Sequence, residues 1–423
     1  MDVRVVATGL VLLATLALAA CERTPGGDPA EGPPGPDGAG HGPDDPAGPI
    51  TLAFAGDIHF EQHLAALLDR PGTALDPIAG TLGAADVTVV NLESAITGRG
   101  TPDPKELEDP TDRYWFRTSP AALTALADAG VDVVTMANNH GADYGAVGFA
   151  DTLRAAEDSP VAVVGVGEDR RAAFTPHRVT VRGTEVAVLA ADASMREGRS
   201  TRWTAGEDSP GIAAARGTRT DRLLAAVRAA DRTNDLVVVY LHWGVEYASC
   251  PNAEQRTLAG DLAEAGADVV VGSHTHVLQG GGWLDDTYVG YGLGNFVWYH
   301  AGQPDTGVLR LRVVDGRVAA DTWIPATIGT DGRPRRLHGA TAADATARWR
   351  TLRSCTGLAD RPATPPPAAA APETSYVSSI REITPALRER MRSSHRPGCP
   401  VGWRDLRHLR MSYVGFEDRK SVV

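Results

Sequence analysis

Ile50-Thr51-Leu52-Ala53-Phe54-Ala55-Gly56-Asp57-Ile58-His59 sets the reading of the whole chain. Six residues of a strand-forming run, Ile50–Ala55, end in a glycine and then in two polar groups that can ligate or titrate. The same grammar recurs downstream. Short runs rich in Val, Leu and Ala predict strands at Val87–Val90, Val131–Met136, Val161–Val166, Glu185–Ala190, Leu236–Leu241 and Asp268–Val271. Runs this uniformly apolar suit strands buried on both faces. Helical patterns lie between them. Ser119–Ala129 has Ser119 as a possible cap, Pro120 in its first turn and Gly130 as its stop, and Asn252–Ala265 ends at Gly266. Strands alternating with helices predict an α/β fold.

Polar residues collect just past the carboxyl ends of these strands, where α/β sheets bind ligands. Asp57 and His59 follow the first strand, and Asn91-Leu92-Glu93 the second. Asn138-Asn139-His140 and Asp143 follow the third. His242-Trp243-Gly244 with Glu246, and Ser273-His274-Thr275-His276, follow two later ones. Five of the 12 histidines stand in these places. Imidazole, carboxylate and amide oxygen together suit divalent metals. An Asp-X-His or His-X-His pair at a strand end sends both side chains to one side, because strand side chains repeat every two residues. Each piece has a plainer reading as well. Asp57 could cap a helix, Asn91 and Glu93 could cap loops, the Asn pair suits a turn, and His242 could be a core histidine. Their recurrence at successive strand ends favours a metal site.

The order of these motifs resembles the calcineurin-like metallophosphoesterase superfamily, and more closely its CapA (poly-γ-glutamate capsule biosynthesis) branch. Asn91-Leu92-Glu93, Asn138-Asn139-His140 with Asp143, His242-Trp243-Gly244 with Glu246, and Gly294-Asn295-Phe296 carry the likeness over about Ile50 to Gly357. The resemblance implies a β-sandwich flanked by helices in αββα layers, holding two divalent ions (manganese, iron or zinc). Asp57, His59 and His276 would hold one ion; Asn139, His242 and His274 the other; Glu93 would bridge. His140 would face the substrate and donate or hold a proton, with Asp143 and Glu246 as further catalytic candidates, and an activated water would be the nucleophile. Asn91 and Asn295 would act on the ligands or the substrate. The superfamily's Gly-Asp-X-X-Asp is absent, and Asn91-Leu92-Glu93 stands in its place. The implied activity is a hydrolase or transferase acting on an envelope polymer or a small phosphoester. The alternative is a scaffold that binds polymer without turnover.

The formal charge is −12 over 423 residues, which argues against nucleic acid as a partner. Arg4 precedes an apolar run, Val5–Ala20, too short to span a membrane but suited to a signal peptide. Leu18-Ala19-Ala20-Cys21 matches a lipobox, so Cys21 is the expected lipidation site. The expected location is the extracytoplasmic face of the bacterial cytoplasmic membrane. Residues 22–48, rich in Pro, Gly and Asp, read as a tether. The domain is expected over 49–360 and a Pro/Ala linker over 361–373. Residues 374–423 resemble the opening of a D-alanyl-D-alanine carboxypeptidase-like domain that is not completed. Outside the cytoplasm Cys250, Cys355 and Cys399 can form one disulfide, with one cysteine left over. Cys250 with Cys355 is the expected bridge, since both fall in the main domain and Cys399 in the last segment.

Overall fold

The computed structural model describes residues 48–105, 111, 113–194, 202–299 and 302–365. Cys21, residues 22–47 of the 22–48 tether, Cys399 and the 374–423 segment lie outside them. Two large sheets and their helices make up most of the described chain, with two small two-stranded sheets beside them.

The first sheet runs, from edge to edge, Pro334–Arg336, Arg317–Ile328, Asp305–Val314, Ile50–Ile58, Val87–Leu92, Val133–Thr135 and Ala162–Val164, with Asn295–Val297 also pairing Ile50–Ile58. Ile50–Ile58, Val87–Leu92, Val133–Thr135 and Ala162–Val164 are parallel. Asp305–Val314 runs antiparallel to Ile50–Ile58 and forms a hairpin with Arg317–Ile328. The second sheet runs Gly281–Leu284, Thr287–Gly290, Val269–Ser273, Leu236–Gly244, Thr184–Ser194 and His177–Val181. Its four middle strands are parallel and its two outer ones antiparallel.

Side-chain alternation explains the layers. Val186, Val188, Leu236, Val238, Tyr240, Val269 and Val271 share one core with Leu52, Phe54, Val89 and Val133 of the first sheet. Their strand neighbours Ala187, Leu189, Val237, Val239, Leu241 and Val270 form a second core with Leu223 and Val227 of the helix Thr220–Asp231 and Leu258 and Leu262 of the helix Ala253–Glu264. The period of two thus sends one set inward and the other to a helix layer. Ile78, Leu123, Leu126, Phe149 and Leu153, from the helices Asp76–Leu82, Ala121–Asp128 and Gly145–Glu157, join the first core. This is the αββα layering that the resemblance implied. The Tyr240 hydroxyl reaches from the second sheet to the Ala55 carbonyl at 2.8 Å.

Three of the expected strands extend further than their apolar runs, since Ile50–Ile58, Val87–Leu92 and Leu236–Gly244 keep pairing through the polar residues at their ends, whereas Val131–Met136 shortens to Val133–Thr135. Val161–Val166 instead divides into Ala162–Val164 and Val166–Gly167, broken at Gly165, whose φ is +89°. The Ser119 cap is corrected. The helix begins at Ala121, and its first amides donate to the backbone carbonyls of Ser119 and Pro120 rather than to the Ser119 hydroxyl. Asn252 caps its helix through the Gln255 amide, and Gln255 reciprocates. Cys250 and Cys355 are joined by a disulfide. Residues beyond 360 stay attached to the domain at first, since the Ala363 and Thr364 amides donate to Asp285 and Asp286. No helix of the described residues is long and apolar enough to cross a membrane.

Candidate metal centre

The parallel strands of both sheets deliver polar side chains to one place. Register does much of this. Asp57 lies opposite Asn91 on one side and Asn295 on the other. Asn91 Nδ2 donates to Asp57 Oδ1 at 2.8 Å, while Asn91 Oδ1 accepts from Thr135 Oγ1 and Asn138 Nδ2. Asn91 therefore works as a connector that holds a carboxylate, not as a ligand. Asp57 Oδ2 accepts from the His274 amide at 2.9 Å, which ties the second sheet to the first. For this approach Gly56 must lack a side chain, because a Cβ there would overlap the Gly294 carbonyl. His274 and His276 hold φ values of +90° and +57°, a strained backbone for side-chain-bearing residues.

Two sets of donor atoms converge, each within 4.8 Å: Glu93, His242 and His274, and Asp57, Glu93 and His276. Glu93 belongs to both. Asn139 Oδ1 lies 2.7 Å from His242 Nε2, which adds the amide to the first set. His276 Nδ1 is 2.9 Å from Asn295 Oδ1, an orienting bond of the kind that metal-bound histidines make. His59 and Glu246 stand outside both sets. His59 Nδ1 accepts from the Glu61 amide at 3.0 Å, and its ring stacks on Phe116. Glu246 is half-buried, near enough for its charge to act on Glu93 and His242.

Charge and burial show what this arrangement needs. Glu93 is fully buried, yet neither carboxylate oxygen accepts a hydrogen bond among the described residues. Its closest charge partners, His242 Nε2 and His140 Nε2, are 3.5 and 3.7 Å away, too far for good hydrogen bonds. Burial pushes its carboxyl up to about 7, and burial with the charge of Glu93 raises Asp57. Burial also holds His242 down to about 4, so its imidazole is neutral, the form that ligates metals. Two buried carboxylates beside a neutral His242 are costly without a compensating charge. Divalent cations fit this donor set.

His140 stands beside the two sets. Its Nδ1 meets Asp143 Oδ2 at 2.6 Å, Nε2 faces Glu93, and its ring stacks on Phe116. Asp143 also accepts from the Phe116 amide and pairs with Lys105 Nζ at 2.8 Å. Burial pushes Asp143 up to about 7 against the pull of Lys105. Motif reading misses Lys105, Phe116, Trp298 and Tyr299. Trp298 and Tyr299 meet the His59 ring edge-on, Trp298 also lies against His276, and Tyr247 is exposed beside His276. Gly294-Asn295-Phe296 points at this segment but stops two residues short of Trp298.

Comparison with known proteins identifies the family. The family model described as bacterial capsule synthesis protein PGA_cap matches residues 51–300, more than half of the chain. The capsule biosynthesis protein CapA of Bacillus anthracis is 28% identical over 299 residues, 69% of this chain and 70% of that protein. The PGA biosynthesis protein CapA of Bacillus subtilis (strain 168) is 28% identical over 254 residues, 59% of this chain and 63% of its own. A probable polyglutamine synthesis accessory protein of Mycobacterium tuberculosis is 30% identical over 237 residues, 52% of this chain and 60% of its own. Among solved structures, a hypothetical protein from Thermus thermophilus aligns with a TM-score of 0.41 at 20% identity, over 65% of this chain and 98% of that one. A putative 5'-nucleotidase from Staphylococcus aureus aligns with a TM-score of 0.37 at 15% identity, over 73% and 58% of the two chains. The chain is a CapA-like protein and belongs to the bacterial capsule synthesis protein PGA_cap family.

Proposed function

We propose that this protein is a metal-dependent hydrolase or transferase in the synthesis, anchoring or release of a capsule polymer, poly-γ-glutamate by analogy with its relatives. It would act from the outer face of the cytoplasmic membrane, tethered through Cys21. The observation that carries the reading is Glu93, buried, unfilled by hydrogen bonds and shared by two convergent donor sets. Asp57, Glu93, Asn139, His242, His274 and His276 would hold two ions, manganese, iron or zinc, with His59 beside them. Such ions supply Lewis acidity and lower the pKa of water.

The chain's own groups account for the rest. Asn91 and the His274 amide fix the Asp57 carboxylate. Asp143, itself held by Lys105 and the Phe116 amide, anchors His140 through Nδ1 and turns Nε2 toward the centre. His140 Nε2 is thus placed to give a proton to a leaving group or hold one. Phe116, Trp298 and Tyr299 wall the site and limit water around it.

The test is elemental analysis of the purified full chain beside a His274→Ala, His276→Ala variant. About two metals per chain, reduced in the variant, supports the reading; no metal after incubation with manganese, iron or zinc refutes it. One observation favours the second reading, a scaffold that binds polymer without turnover: Asp57, His59 and Glu93 are fully buried and give a bulky polymer little access. Loss of turnover in His140→Ala supports the enzyme, whereas loss of polymer retention with metal content unchanged supports the scaffold.

A further inference from the structure

The second sheet contains a unit whose outer face the metal centre does not use. Thr184–Ser194, Leu236–Gly244 and Val269–Ser273 are parallel, and the helices Thr220–Asp231 and Ala253–Glu264 connect them. Both helices lie on the face turned away from the first sheet. Both therefore begin at the carboxyl-end edge, with their positive ends there. Open α/β sheets bind ligands at this edge. His242 and Trp243 separate the two places: His242 turns inward to the metal centre, and Trp243 turns outward into the helix-side core.

A cavity of about 750 Å³ lies at that outer edge, lined among others by Arg216, Arg219, Trp243, Asn252, Glu254 and Asp261. Arg216 is the group that points to a ligand. Its side chain is nine-tenths buried and pairs with Asp192, yet its Nε has no acceptor among the described residues. An unfilled donor on a buried guanidinium is costly. The Asn252 side-chain oxygen at the rim already accepts from the Gln255 amide, capping its own helix. Glu254 and Asp261 line the helix side of the same cavity. The cavity is thus lined by cationic groups and carboxylates together, with two helix N-termini at its edge.

We propose that this cavity is a second binding site, separate from the metal centre, for a small carboxylate that also carries an amine or amide N–H, as an amino acid does. Its carboxylate accepts from Arg216 and Arg219, and its nitrogen donates toward Glu254 or Asp261. The apolar floor, Trp243 and Leu258, holds the carbon chain. A bare anion satisfies only half of the lining.

The test is calorimetric titration of the purified full chain with L-glutamate, with glutarate, which lacks the amine, and with inorganic phosphate. Ala253→Trp fills the cavity from an exposed position at its rim. Arg219→Ala removes one cation and leaves the buried Arg216–Asp192 pair intact. The His274→Ala, His276→Ala variant disables the metal centre. Glutamate binding is expected in the parent and in the double-histidine variant. It should weaken about tenfold or more in Arg219→Ala and vanish in Ala253→Trp, whose unfolding temperature should stay near the parent's. Glutarate is expected to bind about tenfold more weakly than glutamate. Absence of glutamate binding at millimolar concentration overturns the proposal. So does binding unchanged in Ala253→Trp, phosphate binding tighter than glutamate, or loss only in the double-histidine variant, which would put the ligand on the metal centre. The proposal does not depend on the enzymatic reading, since the double-histidine variant is expected to bind.

Discussion

Replacing Glu93 with Gln tests the electrostatics of the centre directly. Burial raises this carboxyl from an ordinary 4.5 to about 7 in the metal-free fold. The fold therefore prefers its neutral form, and that contribution is complete below pH 4.5 and is lost as pH climbs through 7. The difference of about 2.5 pH units, at about 1.4 kcal/mol each, is worth about 3 kcal/mol. Metal-free parent protein should thus lose about 3 kcal/mol of stability between pH 4.5 and pH 8.5 from this residue. Glu93→Gln carries no charge at either pH and should lack that component. The assay is denaturant unfolding in EDTA at both pH values. For a domain of this size about 3 kcal/mol corresponds to roughly 5 °C in a thermal scan. The sign then reverses with metal. Manganese at a hundred times its dissociation constant should restore about 2.7 kcal/mol to the parent and little to the variant. An equal pH dependence in parent and variant, or equal stabilisation of both by metal, would refute the assignment of Glu93 as a buried, shared ligand.

Lys105→Met removes the cation that faces Asp143 in a fully buried pair and should cost about 3–5 kcal/mol. The loss should be larger at pH 9 than at pH 5, where Asp143, already raised to about 7, can take up a proton; unfolding curves at both pH values check this. Gly56→Ala would drive a Cβ into the backbone carbonyls of Leu293 and Gly294, so the variant should displace Asp57 and lose metal uptake, read by elemental analysis alongside circular dichroism. Cutting the Cys250–Cys355 bridge, which closes a sequence separation of 105, should cost about 4–5 kcal/mol by chain entropy. Unfolding of a Cys250→Ser, Cys355→Ser variant measures it, with no change expected in metal content.

The central strands are legible in the sequence because burial on both faces leaves an unbroken apolar run, as in Leu236–Leu241. Their ends are not, because an apolar run stops at the first polar residue while pairing continues through Asp57, Asn91 and His242. The hairpin Asp305–Val314 with Arg317–Ile328 escapes a search for apolar runs although its signal is present. Leu309, Leu311 and Val313 alternate with Arg310 and Arg312, and Asp315-Gly316 turns the chain with both φ positive, as a two-residue hairpin requires. The ligand types can be read one strand end at a time. Which of them meet cannot, because meeting depends on how one sheet lies on the other. Lys105 shows this most sharply: it sits in a loop with no periodicity, and its partners Asp143 and His140 are 38 and 35 residues away. Glu93 could equally be a loop cap on its motif alone. Its two unfilled oxygens, placed between donor sets from both sheets, are a property of packing, and they turn a plausible carboxylate into the one group that a cation must reach.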